Sequence, residues 1–227
     1  MLLSLLRGGA DFDIIQIIIR ISSCAFVIFC TAPIHEFAHA FVAYKLGDKT
    51  AKLKGRLTIN PFAHINWIGA LMILLVGFGY AEPVPVNVRN VKMKNKKIAM
   101  ALIAVAGPIS NLLMAFVSLF FMVLAFKTLD VNSDLFSSAL FIFLQYIALI
   151  NINLAVFNLI PVPPLDGSRI LFAVLPTKYY FKIMKYERYI SIAIMLLLFT
   201  GVLSAPLSEI SNYIYSSFVD LFIKILF

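Results

Sequence analysis

Residues 14–46 read IIQIIIRISSCAFVIFCTAPIHEFAHAFVAYKL. Only Arg20, Glu36 and Lys45 in this run carry a full charge. At about 1.5 Å per residue, a helix of this length exceeds the roughly 20 residues that a bilayer requires, so it tilts or projects past the membrane at one end. The rest of the chain agrees. It has 227 residues, 62% hydrophobic and only 13% charged, with a mean hydropathy of +0.96. Soluble domains are about 45–50% apolar and about 25% charged. This composition excludes an ordinary soluble enzyme and a disordered chain, and points to a multi-span membrane protein. Cys24 and Cys30 sit inside the apolar run and provide no disulfide framework.

Further apolar runs cover Ile98–Phe126, Leu135–Leu159 and Tyr189–Leu203, and the tail Leu207–Phe227 either spans or lies along the surface. The predicted fold is an all-α polytopic membrane protein of about five to six transmembrane helices with a small re-entrant extended or β element. The chain reads as one membrane-embedded domain over 1–227, with a core of about 14–172 and C-terminal helices over 173–227. The first thirteen residues lack a signal-peptide pattern, since Arg7 is followed by Gly8-Gly9 and no cleavage site follows an apolar stretch. No room is expected for an added soluble regulatory domain.

Charge assigns the sides. The net charge is +8, and a nucleic-acid reading is set aside because the basic residues flank apolar spans. Ten of the nineteen lysines and arginines lie between Lys45 and Lys97, and five more (Arg169, Lys178, Lys182, Lys185, Arg188) fall in a later loop. The positive-inside rule puts both clusters on the cytoplasmic side and the N-terminus outside, in the plasma membrane. The short apolar stretch Ile65–Tyr80 has basic clusters on both flanks. A single crossing would strand one of them on the wrong face, so the stretch is expected to be re-entrant. Prolines and valines alternate after it, in Pro83-Val84-Pro85-Val86, which suits extended backbone.

The chemistry is concentrated in His35-Glu36-Phe37-Ala38-His39. Positions i and i+4 share a helix face, so both imidazoles reach one metal ion, with Glu36 placed to poise a water on it. Zinc brings the pKa of such a water towards about 7. A carboxylate at mid-bilayer costs roughly 2.5–3.5 kcal/mol on insertion scales, which argues against a mere packing role. The bland alternative is a polar cluster that bridges helices. A hydrolytic zinc site takes three protein ligands. Asp166, in Asn158-Leu159-Ile160-Pro161-Val162-Pro163-Pro164-Leu165-Asp166-Gly167, follows a helix that the prolines end, and is either the third ligand or an ordinary Asp-Gly turn. His64 reads as a hydrogen-bonding residue of its loop, and Arg20 as a side chain that snorkels outward.

These residues resemble the site-2 protease family of intramembrane zinc metalloproteases, over about residues 25–172. His35 to Ala40 is similar to the family's metal helix, Ala106-Gly107-Pro108-Ile109-Ser110-Asn111 to its central glycine-proline-asparagine motif, and Asn158 to Gly167 to its asparagine-proline-aspartate-glycine motif. Gly79 to Asn87 resembles the extended element of the short branch, with Tyr80 and Glu82 where that branch usually has tryptophan and lysine. The resemblance implies one zinc ion per chain on His35, His39 and Asp166, Glu36 as general base, and Asn111 and Asn158 lining the site. It implies hydrolysis of transmembrane protein substrates near the cytoplasmic side of the bilayer, with the extended stretch receiving an unwound substrate segment or serving as a structural turn. The expected partners are that substrate, the lipid bilayer and an unidentified regulatory protein, with no nucleic acid. The alternatives are a metal-ion transporter and an inactive relative that binds membrane segments.

Overall fold

The run that opens at Ile14 folds as one helical rod whose winding changes midway. This computed structural model describes residues 14–64, 66–68, 71, 82–131 and 133–227, the Phe181 and Phe199 side chains aside. Helix α1 spans Ile14–Phe26, a π-helical turn covers Val27–Thr31, and α2 spans Ala32–Lys45. The wide turn has a local cause. Pro33 has no N–H to bond to the carbonyl four residues back, and the Ala32 N–H bonds to the Val27 carbonyl, five residues back. The rod ends where the Leu46 and Asp48 N–H groups bond back to the Val42 and Ala43 carbonyls. Gly47 between them takes a φ of 105°, a conformation that favours glycine.

The remaining helices are α3 (Thr50–Leu53), α4 (Lys96–Thr128), α5 (Leu135–Asn158), α6 (Gly167–Val174), α7 (Thr177–Met184), α8 (Glu187–Phe199) and α9 (Ser204–Leu226). The starts of α4 and α5 follow from capping: the Asn95 side chain accepts from the Lys97 and Ile98 N–H groups, and the Asp134 carboxylate from the Ser137 N–H. Helix α4 is the organising element and packs on α2, α5, α6 and α9. Its outer side presents Ile109, Leu113, Val117 and Phe121 at steps of four, all about half exposed. Its inner side holds Ser110, Asn111, Ala115, Ser118 and Leu119. Large apolar side chains on the outer face, with Ser110, Asn111 and Ser118 among the inner residues, depart from the pattern of a soluble helix and suit hydrocarbon.

Three helical rods are long and apolar enough to cross a membrane: Ile14–Lys45, Lys96–Thr128 and Leu135–Asn158. The chain is an all-helical membrane protein, and among the described residues three such rods stand where five to six were expected. The predicted run Tyr189–Leu203 contributes only the 13-residue α8, which stops at Phe199 ahead of Gly201, a residue with a φ of 76°. Helix α9 has 23 residues but carries Glu209, Asp220 and Lys224. Residues 82–87 form no helix and pair into no strand, and the stretch ends on extended backbone at Asn87. The re-entrant reading of Ile65–Tyr80, the start of the extended element at Gly79–Ala81, and residues 1–13 lie outside the described residues, Asn66–Ile68 and Leu71 excepted.

Candidate active site

Helix α2 sets His35 and His39 one turn apart on its buried face, with ring centroids 4.7 Å apart and the planes nearly perpendicular. The third group comes from the far end of α5. That helix stops at Asn158, and the proline-rich turn leads to Asp166, directly before α6. Gly167 lets this turn close. A Cβ there would lie within 2.6 Å of the Ile160 carbonyl carbon and nearer still to the Leu159 and Ile160 oxygens. The closed turn brings Asp166 Oδ2 to 3.1 Å from His39 Nε2 and 3.3 Å from His35 Nε2, with the two imidazole nitrogens 3.1 Å apart.

Helix α4 seals the other side. A Cβ on Gly107 would fall 2.6 Å from His35 Nε2 and closer to His39 Nε2, so only glycine admits the helix at this distance. One turn earlier the Ile103 carbonyl accepts a 2.7 Å hydrogen bond from His39 Nδ1. That bond puts the proton on Nδ1 and leaves the Nε2 lone pair directed at the shared point.

The donor set fits a small divalent ion. Ligand atoms on a tetrahedral zinc with bonds of about 2.0–2.1 Å lie about 3.3 Å apart, and the three separations here are 3.1, 3.1 and 3.3 Å. Three lone-pair atoms this close repel one another unless positive charge sits among them. Two nitrogens and one carboxylate oxygen suit zinc in particular. The His35 Nδ1 atom is buried and has no hydrogen-bond partner among the described residues.

Glu36 follows His35 on α2 and is 9% exposed. Its Oε2 accepts a 3.0 Å hydrogen bond from the Val84 N–H. Asn111 lies one turn past Gly107 on α4, almost wholly buried, and its Oδ1 has no partner among the described residues. Asn158 is half-buried at the end of α5 and opens the turn that carries Asp166. His64 stays apart from the group: its Nε2–H donates to the Thr58 carbonyl and its own carbonyl accepts from the Glu82 N–H. Arg20 lies over the Tyr146 ring, 5.1 Å from its centre.

Sequence reasoning quoted Gly107 within a motif but missed why it must be glycine. It also missed the Ile103 carbonyl and the Val84 N–H. These last two act through the backbone, which any residue supplies, so no side-chain pattern marks them.

The description Peptidase family M50 matches residues 126–200, which include Asn158 and Asp166. "Putative zinc metalloprotease YwhC" of Bacillus subtilis is 41% identical over 188 residues, covering 83% of this chain and 85% of the relative. "Putative zinc metalloprotease Rip2" of Mycolicibacterium smegmatis is 31% identical over 140 residues, 59% of this chain and 50% of the relative. "Zinc metalloprotease MJ0392" of Methanocaldococcus jannaschii is 30% identical over 181 residues, 78% of this chain and 42% of the relative. No solved structure matches. A close relative matched along most of both chains, together with the family match, establishes that this chain belongs to peptidase family M50, the site-2 protease family.

Proposed function

We propose that the protein is an intramembrane zinc endopeptidase that hydrolyses peptide bonds of transmembrane proteins near the cytoplasmic side of the plasma membrane. The observation that carries this reading is the meeting of His35, His39 and Asp166 within 3.3 Å, with Glu36 next to His35 on α2. His35 and His39 Nε2 and one Asp166 oxygen would hold a single zinc ion per chain. When bound, zinc supplies a Lewis acid that polarises the scissile carbonyl and makes water nucleophilic at neutral pH.

The chain's own groups do the rest. Glu36 takes a proton from the attacking water as the new C–O bond forms, and returns it to the leaving amine as the C–N bond breaks. The Val84 N–H fixes one Glu36 oxygen and leaves the other for that proton. Asn111 and Asn158 hold the substrate backbone or the developing oxyanion. The non-helical stretch at 82–87 meets the Glu36 carboxylate through the Val84 N–H and would receive an unwound substrate segment.

Orientation follows from charge. The end of α2 carries Lys45, Lys49, Lys52 and Lys54, and the Lys97 ammonium at the start of α4 donates to the Leu175 carbonyl, so the two basic regions adjoin. They face the cytoplasm, and the N-terminus lies outside. The re-entrant reading of Ile65–Tyr80 gains support from the residues that flank it: the Glu82 N–H donates to the His64 carbonyl at 3.0 Å, so the chain departs and returns at one place. A span would put those ends about 30 Å apart. The core over 14–172 and the helices over 173–227 then form one membrane-embedded domain. Clustering of the ionisable groups at one point, rather than along a path, favours a catalytic site over a transporter.

The test combines elemental analysis of the detergent-purified protein with cleavage of lysine-flanked single-span peptides. The expected result is about one zinc per chain, lost with activity on chelation, in Asp166→Ala and in His39→Ala. Glu36→Gln should keep zinc and lose cleavage by about 10³-fold or more. A protein that takes up no zinc when supplied, or a Glu36→Gln variant that still cleaves, ends this reading.

A further inference from the structure

Eleven residues, Glu82–Lys92, form a strap across the end of α2, and its anchor is a buried acid outside the metal-ligating group. Asp48, two residues past Leu46, is fully buried. Its Oδ1 accepts from the Thr50 N–H at 3.0 Å, the Thr50 hydroxyl at 2.5 Å and Asn90 Nδ2 at 3.3 Å. Its Oδ2 accepts from the Asn87 N–H at 2.6 Å. No lysine or arginine pairs with it among the described residues. A buried carboxylate without a counter-charge persists only where donors surround it.

The two oxygens do separate work. The bonds from Thr50 are local and start α3. The bond from Asn87 reaches 39 residues along the chain and lands on the strap. Three positions earlier the strap gives its Val84 N–H to Glu36. Pro85 stiffens the connection, and Val84 and Val86 are packed inward, Val84 against Ala40 and Ala51 and Val86 against Ala43 and Met100. Arg56 pins the start of the strap by donating to the Glu82 carbonyl, and the Lys92 N–H pins its end on the Leu46 carbonyl. The middle, where Glu36 is met, depends on Asp48.

We infer that Asp48 is a positioning residue, which holds the strap at Asn87 so that the Val84 N–H keeps the Glu36 carboxylate in its working orientation. This rests on Glu36 acting as the base. Asp48→Asn is the direct variant, because an amide nitrogen in place of Oδ2 would face the Asn87 N–H donor to donor. Asn90→Ala is the milder one, since it removes the two Asn90 Nδ2 bonds, to Asp48 Oδ1 and to the Thr50 hydroxyl, and leaves the carboxylate and its bond from the Asn87 N–H. Cleavage of the lysine-flanked peptides, zinc content and amide hydrogen exchange of 82–92 are measured together in the full-length protein.

In Asp48→Asn, kcat should fall by about 10- to 100-fold with KM little changed. Zinc content should hold, and strap exchange should quicken by about tenfold. Asn90→Ala should move both readouts the same way by less, about threefold. Strap exchange at the wild-type rate in both variants overturns the inference, as does faster exchange with unchanged kcat. Loss of kcat only in step with zinc loss also overturns it. An inactive wild-type protein would instead sink the protease reading, and the exchange rates would still report whether Asp48 holds the strap.

Discussion

The two halves of α4 make opposite use of the same helix. Its first half touches the histidines, through Gly107 and the Ile103 carbonyl, at places where atoms are missing or are backbone. Its second half fills space. Ala115, Leu119, Met122 and Val123 form a cluster with Ala148, Ile152, Val156 and Phe222, and the Phe116 and Phe120 rings meet Phe222 with centroids 4.6 and 5.5 Å apart. One half is defined by close approach to polar groups, the other by bulk. In a bilayer, where lipid is as apolar as the core, the second kind of packing holds helices through shape and dispersion rather than through the hydrophobic effect.

The sharpest test of that contrast is a methyl group added to the first half. Gly107→Ala should push the histidines off their shared point and weaken zinc binding by about 10- to 100-fold, with cleavage lost in parallel. Calorimetric titration of zinc into the apo protein measures it, and normal affinity would show that α4 does not constrain the site. A residue cut back in the second half should do the reverse. Leu119→Ala should cost about 2–4 kcal/mol of stability by leaving a cavity, while zinc affinity and kcat of the folded fraction stay within about twofold. Lost kcat in a folded Leu119→Ala protein would mean that the halves are coupled.

A smaller effect is expected where the second half carries a polar contact. The Tyr215 hydroxyl accepts from Gln145 Nε2 at 3.3 Å and points at Met122 Sδ, 3.6 Å away. Tyr215→Phe should cost no more than about 1 kcal/mol in thermal unfolding and nothing in activity. The smallest effect within the working range of pH concerns the strap. Burial alone would raise the Asp48 pKa, but the hydrogen bonds from Thr50, Asn87 and Asn90 outweigh it and hold it low. A depressed acid stabilises the fold above its unfolded pKa of about 3.9 and loses that contribution as pH falls through the folded value. Exchange protection of 82–92, corrected for intrinsic rates, should therefore stay flat from about pH 8 to 5 and drop only below about 4. Loosening between pH 7 and 5 would mean that another group anchors the strap.

Much of the candidate site was legible because it is local. The His35–His39 spacing is a property of one helix turn, and the absence of helix over 82–87 follows from Pro83 and Pro85. The apolar runs gave the three long rods, though the breadth of the Tyr189–Leu203 run hid the turn at Gly201, where a single φ decides. Asp166 was ambiguous by spacing alone, since a turn residue and a ligand look alike until their neighbours are known.

The amino-acid sequence by itself determined the membrane character, the helical rods, the paired imidazoles with Glu36 between them, and the break from helix at Pro83 and Pro85. Each depends on composition or on contacts within a few residues, where backbone geometry sets the distances. Only the tertiary structure decided that Asp166 meets histidines 127 and 131 residues away, that Gly107 must lack a Cβ, and that one strap gives its Val84 N–H to Glu36 and its Asn87 N–H to Asp48. Those relations join groups far apart in the chain, several of them backbone atoms, and are fixed by how closely α2, α4 and the two connecting turns pack.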